Sequence, residues 1–148
     1  EEIFTSNRER LMANIQVSVA GYLAEKLAFG TTSDGVLSDF NNAMRVAHAM
    51  VWRLGMDGKH MGDFTAIPEQ QLSEQVKSEL NQETQKIFQE CVAKTETLLR
   101  DENVLLNRFA NELLKKEELE FDEIDAIFKE YNKTKFGSTP LPPHQKSI

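Results

Sequence analysis

Few side chains in this sequence could do chemistry, and Asp39 comes first among them. It stands where a helical pattern begins, in the stretch SDGVLSDFNNAMRVAHAMVWRLG at 33–55. A carboxylate there could ligate a metal. It also has an ordinary role: Ser38 beside it can cap, and an acid in a first turn meets the positive end of the macrodipole, worth about 0.3–1 kcal/mol. The three histidines, His48, His60 and His144, lie far apart in the sequence. Asp39 and His48 cannot share a metal, because a nine-residue separation at 100° per residue sets them on opposite helix faces. The sequence has no glycine-rich phosphate loop, no G-x-S-x-G elbow and no cysteine pair of zinc-ligand spacing. It also lacks H-E-x-x-H, which would set two histidines and a general base on one helical turn. The residues alone supply no complete catalytic set.

Two further features bear on function. His48 falls with Arg45 and Trp52 on the side away from the apolar stripe of its helix. That side reads as a solvated face, or as a contact face toward another domain or subunit, where Trp and Arg are enriched. The single cysteine, Cys91, excludes an internal disulfide. Beside Ile87 and Phe88 in a helical stretch, it reads as a small buried hydrophobe.

The elements that must position these residues are helical almost throughout. Leu11, Ile15, Val19, Leu23 and Leu27 recur at near-helical spacing after a Ser6–Glu9 capping-box pair, and Gly30 stops the helix. Gly21 inside it weakens the helix by about 1 kcal/mol, so close approach of another backbone is expected there. Phe40, Ala43, Met44, Ala47, Met50, Val51 and Leu54 form the stripe of a second helix, with Asp39 at its edge. Residues 55–71 read as an irregular connection with one short extended piece near Phe64. Ser73 opens the longest helix, with Val76, Leu80, Ile87, Cys91 and Leu98 as its seam. After a break at 100–103, Leu105, Phe109 and Leu113 mark another helix, which ends on Lys115 and Lys116. A last short helix runs to Tyr131, with Ile124, Ile127 and Phe128 facing in. The reading is mainly α: one domain of four to five helices over 1–131, and a disordered tail over 132–148 that holds three of the four prolines.

Composition narrows the classes further. A chain of 148 residues with 40% hydrophobic and 28% charged residues can bury a core. A net charge of −7 argues against nucleic acid as partner. No apolar run reaches the roughly 18–20 residues of a membrane-spanning helix. The chain opens Glu1-Glu2-Ile3-Phe4 without a methionine, so the expectation is a piece of a longer protein.

Taken together, these segments resemble one family. ERLMANIQVSVAGYLAEKLAFG is similar to a helix that reads I-x-x-x-x-G-G-R-x-A-E-E-x-x-F-G in FtsH-type ATP-dependent zinc metalloproteases. Gly21, Ala24, Glu25, Phe29 and Gly30 match, while Ala20, Tyr22 and Lys26 depart from it. The stretch from Ser33 onward resembles S-T-G-A-S-N-D-[LFI]-x-x-A-T-x-x-A-x-x-M-V-x-x-x-G-M. There Ser33, Gly35, Asp39, Phe40, Ala43, Ala47, Met50, Val51, Gly55 and Met56 coincide. The later helices match more loosely, through E-x-L-x-x-x-E-I at 117–124.

The resemblance implies that Asp39 is the third zinc ligand. The two histidines and the general-base glutamate of H-E-x-x-H would come from a helix well upstream. It further implies a parent with an ATPase module and bound ATP, a membrane anchor, a homo- or hetero-oligomeric ring of six subunits, and unfolded proteins as substrates. This chain alone, with no catalytic residue of its own, would be inactive. The departures around the ligand, Asp34, Val36 and Leu37 where the family has small residues, support an alternative. In that alternative the domain is a protease-like scaffold or oligomerisation module that has lost catalysis, and Arg45, His48 and Trp52 serve assembly.

Overall fold

The computed structural model describes residues 2–31, 36–116 and 119–136. Within them run five α-helices: α1 (Glu2–Phe29), α2 (Val36–His48), α3 (Glu74–Asp101), α4 (Asn103–Lys116) and α5 (Phe121–Phe136). A π-helical turn, Ala49–Arg53, continues α2, and two 3-10 turns, Phe64–Ala66 and Glu69–Gln71, precede α3. The described residues contain no strand. The mainly-α expectation, with four to five helices, holds.

α1 packs against each of the other four helices, and each of those touches the next in chain order. Its composition explains this central place. Met12, Ala13, Ile15, Val17, Ser18, Val19, Ala20, Leu23, Ala24 and Glu25 are all buried. At 100° per residue these positions go round the whole circumference, as in a helix enclosed by others. The stripe expected from periodicity is one side of that helix. Gly21 makes room as expected, but for a side chain rather than a backbone: a Cβ there would stand 3.1 Å from Cδ1 of Ile124 on α5. α1 also begins before Ser6, so the Ser6–Glu9 pair lies inside the helix and does not open it. Nothing in Glu2-Ile3-Phe4 stops a helix from extending that far.

α3 starts where expected, with Ser73 Oγ accepting the Val76 N–H at 3.0 Å. Its buried line is Leu80, Thr84, Ile87, Cys91, Thr95 and Leu99. The two threonines, absent from the expected seam, enter the core because their hydroxyls donate to the carbonyls of Leu80 and Cys91, each at 2.8 Å. Leu99, not Leu98, takes the last buried position. Glu102 leaves the helical conformation at φ −114°, ψ 85°, which separates α3 from α4.

Glu123 opens α5 by accepting the Glu120 N–H at 3.0 Å, one arm of a capping box. Ile124, Ile127 and Phe128 face in as expected. The helix then continues past Tyr131 to Phe136 and buries Asn132, so the boundary expected at 131/132 falls inside it. The rest of the expected tail, 137–148, lies outside the described residues. The extended piece expected near Phe64 is a 3-10 turn, since Asp63 Oδ1 accepts the Thr65 N–H at 3.0 Å and curls the backbone.

Phe109 closes the far end of the core, fully buried and edge-on to Phe128 with ring centroids 5.4 Å apart. Phe109→Ala should therefore lower stability by about 3–5 kcal/mol, read as a fall in the urea midpoint at unchanged slope.

Candidate functional site

Asp39 stands in the first turn of α2, half-buried. The turn that carries it is fixed from two sides. Phe40 lies between Tyr22 of α1, ring centroids 4.4 Å away, and Phe88 of α3, 6.0 Å away. Two residues on, Asn42 Nδ2 donates to Ser18 Oγ at 2.8 Å and to Asn14 Oδ1 at 3.4 Å. Tyr22 is where the family motif has an arginine, and it holds the α2 start by ring packing. The half-buried carboxylate thus sits in a helix turn whose following residues are packed against α1 and α3.

Asp39 is one donor. Among the described residues no group of three or more His, Cys, Asp and Glu side chains could hold a metal ion. His48 is about 13.5 Å further along the helix axis and on the other face, as expected from spacing. Asp34, Val36 and Leu37 are the departures from the motif beside Asp39; Asp34 lies outside the described residues and the other two have no described side chains.

The expected contact face of Arg45, His48 and Trp52 is not one face. Arg45 and His48 are exposed, whereas Trp52 is buried, with 8% of its surface accessible. The reason is the π-helical turn. The Leu54 N–H reaches back five residues to the Ala49 carbonyl at 3.0 Å, and the Met56 N–H reaches six, to Met50, at 2.7 Å. An extra residue per turn swings everything after it round the axis, and Trp52 is carried into the core. It still stacks on His48, ring centroids 4.8 Å apart and 13° from parallel. Desolvation holds the His48 imidazole below its ordinary pKa. The Trp52 indole N–H is buried and finds no hydrogen-bond partner among the described residues.

Cys91 is fully buried, its Sγ 3.7 Å from the Met12 sulfur, and burial pushes the thiol up to about 11. It is a small buried hydrophobe, as the sequence indicated.

One polar cluster escaped the sequence reading. His60 Nδ1 lies 2.6 Å from Asp57 Oδ2, and its Nε2 lies 3.1 Å from Glu79 Oε1. The Asp57–His60 spacing inside a glycine-rich loop was a usable signal. Glu79, on α3, could not be found from sequence distance.

The family profile described as Peptidase family M41 matches residues 1–127. The chain belongs to peptidase family M41. Among its relatives, the ATP-dependent zinc metalloprotease FtsH 3 of Phytoplasma mali is 32% identical over 127 residues, 86% of this chain and 20% of the relative. FtsH of Methylococcus capsulatus is 30% identical over 143 residues, 88% of this chain and 22% of the relative. The mouse (Mus musculus) protease YME1L1 is 32% identical over 126 residues, 84% of this chain and 18% of the relative. The M41 chain therefore spans about a fifth of the length of the curated relatives it matches. No helix among its described residues is long and apolar enough to cross a membrane.

The burial of Trp52 separates a core role from a contact role. Trp52→Ala should destabilise the isolated M41 chain by about 3–5 kcal/mol, whereas a residue serving only subunit contacts would leave its urea midpoint within about 0.5 kcal/mol.

Proposed function

We propose that this chain is the C-terminal helical part of the peptidase domain of an ATP-dependent zinc metalloprotease, and that Asp39 is its contribution to the metal. The observation that carries the reading is the family match over residues 1–127; within that span the motif resemblance sets Asp39 opposite the family's aspartate. Two features of the fold support it. The aspartate is half-buried on a helix end, and Phe40 and Asn42 fix that end against α1 and α3.

The described residues do not form a zinc site by themselves. A catalytic zinc takes three protein ligands and one water, whose pKa it lowers toward 7. With one donor here, the other two ligands and the general base must come from the upstream part of the parent, which the resemblance identifies with H-E-x-x-H. What this chain does is specific: α2 presents a carboxylate at a fixed position, and α1 and α3 keep that position from shifting when substrate binds. Alone, the chain neither binds zinc tightly nor cuts peptides.

The parent's further properties belong to the same proposal. They are ATP-driven delivery of protein substrates, assembly into a ring and attachment to a membrane. All three relatives above are named as metalloproteases, which favours this reading over the scaffold alternative.

In the full-length parent, Asp39→Asn should lower zinc content to a small fraction of one per subunit. It should also abolish protein degradation while leaving ATP hydrolysis intact. Metal analysis beside casein-degradation and ATPase assays reads all three. A D39N parent that keeps full zinc and full proteolysis would return Asp39 to a helix-start role.

A further inference from the structure

His60 stands in a loop folded tightly on itself between the π-helical turn and α3. Gly55 opens this loop at φ +64°, and a Cβ there would lie 2.9 Å from the His60 carbonyl oxygen. The loop leaves Met61 almost wholly exposed, at 93%. Its inward face is polar. Asp57, whose side chain is fully buried, accepts the His60 backbone N–H at 3.2 Å and faces the ring Nδ1 at 2.6 Å. Glu79 of α3 faces the ring Nε2 at 3.1 Å and takes a second bond from Gln75 at 3.1 Å. Next to it, Lys59 pairs with Glu83, one turn along α3, at 3.0 Å. The loop therefore docks on α3 through two consecutive side chains that reach glutamates four residues apart.

Both ring nitrogens of His60 point at carboxylate oxygens. A neutral imidazole carries one N–H and one lone pair, so one of those contacts would set a lone pair against a carboxylate. The arrangement is satisfied in full only by the doubly protonated ring. We propose that Asp57, His60 and Glu79 form a pH-sensitive latch that fastens the 55–62 loop to α3 while His60 is charged and releases it when the proton leaves.

The charged groups facing His60 are Asp57 and Lys59 from the loop and Glu79 and Glu83 from α3, three acids against one base. Hydrogen bonds to Asp57 and then to Glu79 hold the imidazole above its ordinary value. Both partner carboxyls are held below theirs, Asp57 by its bonds from His60 against the opposing effect of burial, Glu79 by His60 and then Gln75. The signs fix a window. The histidine contribution is fully present below its unfolded pKa near 6.5 and is lost as pH rises through the raised folded value. The carboxylate contributions are present above their unfolded values near 4 and are lost as pH falls through the lowered folded ones. The latch is closed between, and on the alkaline side it opens as His60 loses its proton.

The test is a pH titration of the intact chain by NMR. It follows the His60 ring shifts together with hydrogen exchange of the amides at 57–62, corrected for intrinsic exchange. The latch predicts a His60 midpoint above 6.5 and a loss of amide protection in the loop, but not in α1, with that same midpoint. Glu79→Gln should lower the midpoint. His60→Gln, which keeps side-chain length and no titrating proton, should make loop protection independent of pH across the same range. The wild-type titration decides the matter even if a variant folds poorly. A midpoint at or below 6.5, or loop protection that stays flat through the His60 titration, overturns the proposal.

Discussion

The enclosure of α1 on every side is the constraint from which the rest follows. A helix with one apolar stripe can lie on a surface, but one with buried residues all round must be covered on all of it. α2, α3, α4 and α5 supply that cover in chain order, each touching its neighbour. The small residues along α1 set how close the cover comes. Gly21 admits Ile124 of α5, and Ser18 admits Asn42 of α2 as a hydrogen-bond donor. The position of Asp39 is thus inherited. It depends on how the first turns of α2 are seated, with Phe40 between Tyr22 and Phe88.

The same cover takes in a departure from the family motif. Where the motif has an arginine on the first helix, Tyr22 meets Phe40 face to tilted face and carries Lys26 above its ring at 5.9 Å. The π-helical turn that follows is a second adjustment. It draws Trp52 inward, its indole N–H buried with no partner among the described residues, and it delivers the chain to Gly55, where the loop folds back.

Much of this was legible in the sequence, for identifiable reasons. Helix positions followed from apolar spacing, and the Ser73 cap from one serine before a helical run. What the sequence concealed was context. Thr84 and Thr95 read as polar but are core residues, because a helical carbonyl four residues back satisfies each hydroxyl. Trp52 read as outward-facing because a 3.6-residue period was carried through a segment that does not keep it. α5 ran on past Tyr131 because Asn132, a polar residue, is buried there. At the candidate site the aspartate was visible, and so was its place on a helix start. The clamp around it was not, since Asn42 and Ser18 meet only after two helices have packed.

The central claim is that α2 exists to hold one carboxylate against a metal whose other ligands lie elsewhere in the parent. Zinc-edge anomalous scattering from crystals of the full-length parent tests it most directly. The account predicts a zinc peak about 2.0–2.2 Å from an Asp39 carboxylate oxygen, with two histidines from the upstream segment completing the protein ligands. A zinc bound with Asp39 turned away from it, or a well-ordered α2 start with no zinc nearby, would contradict it.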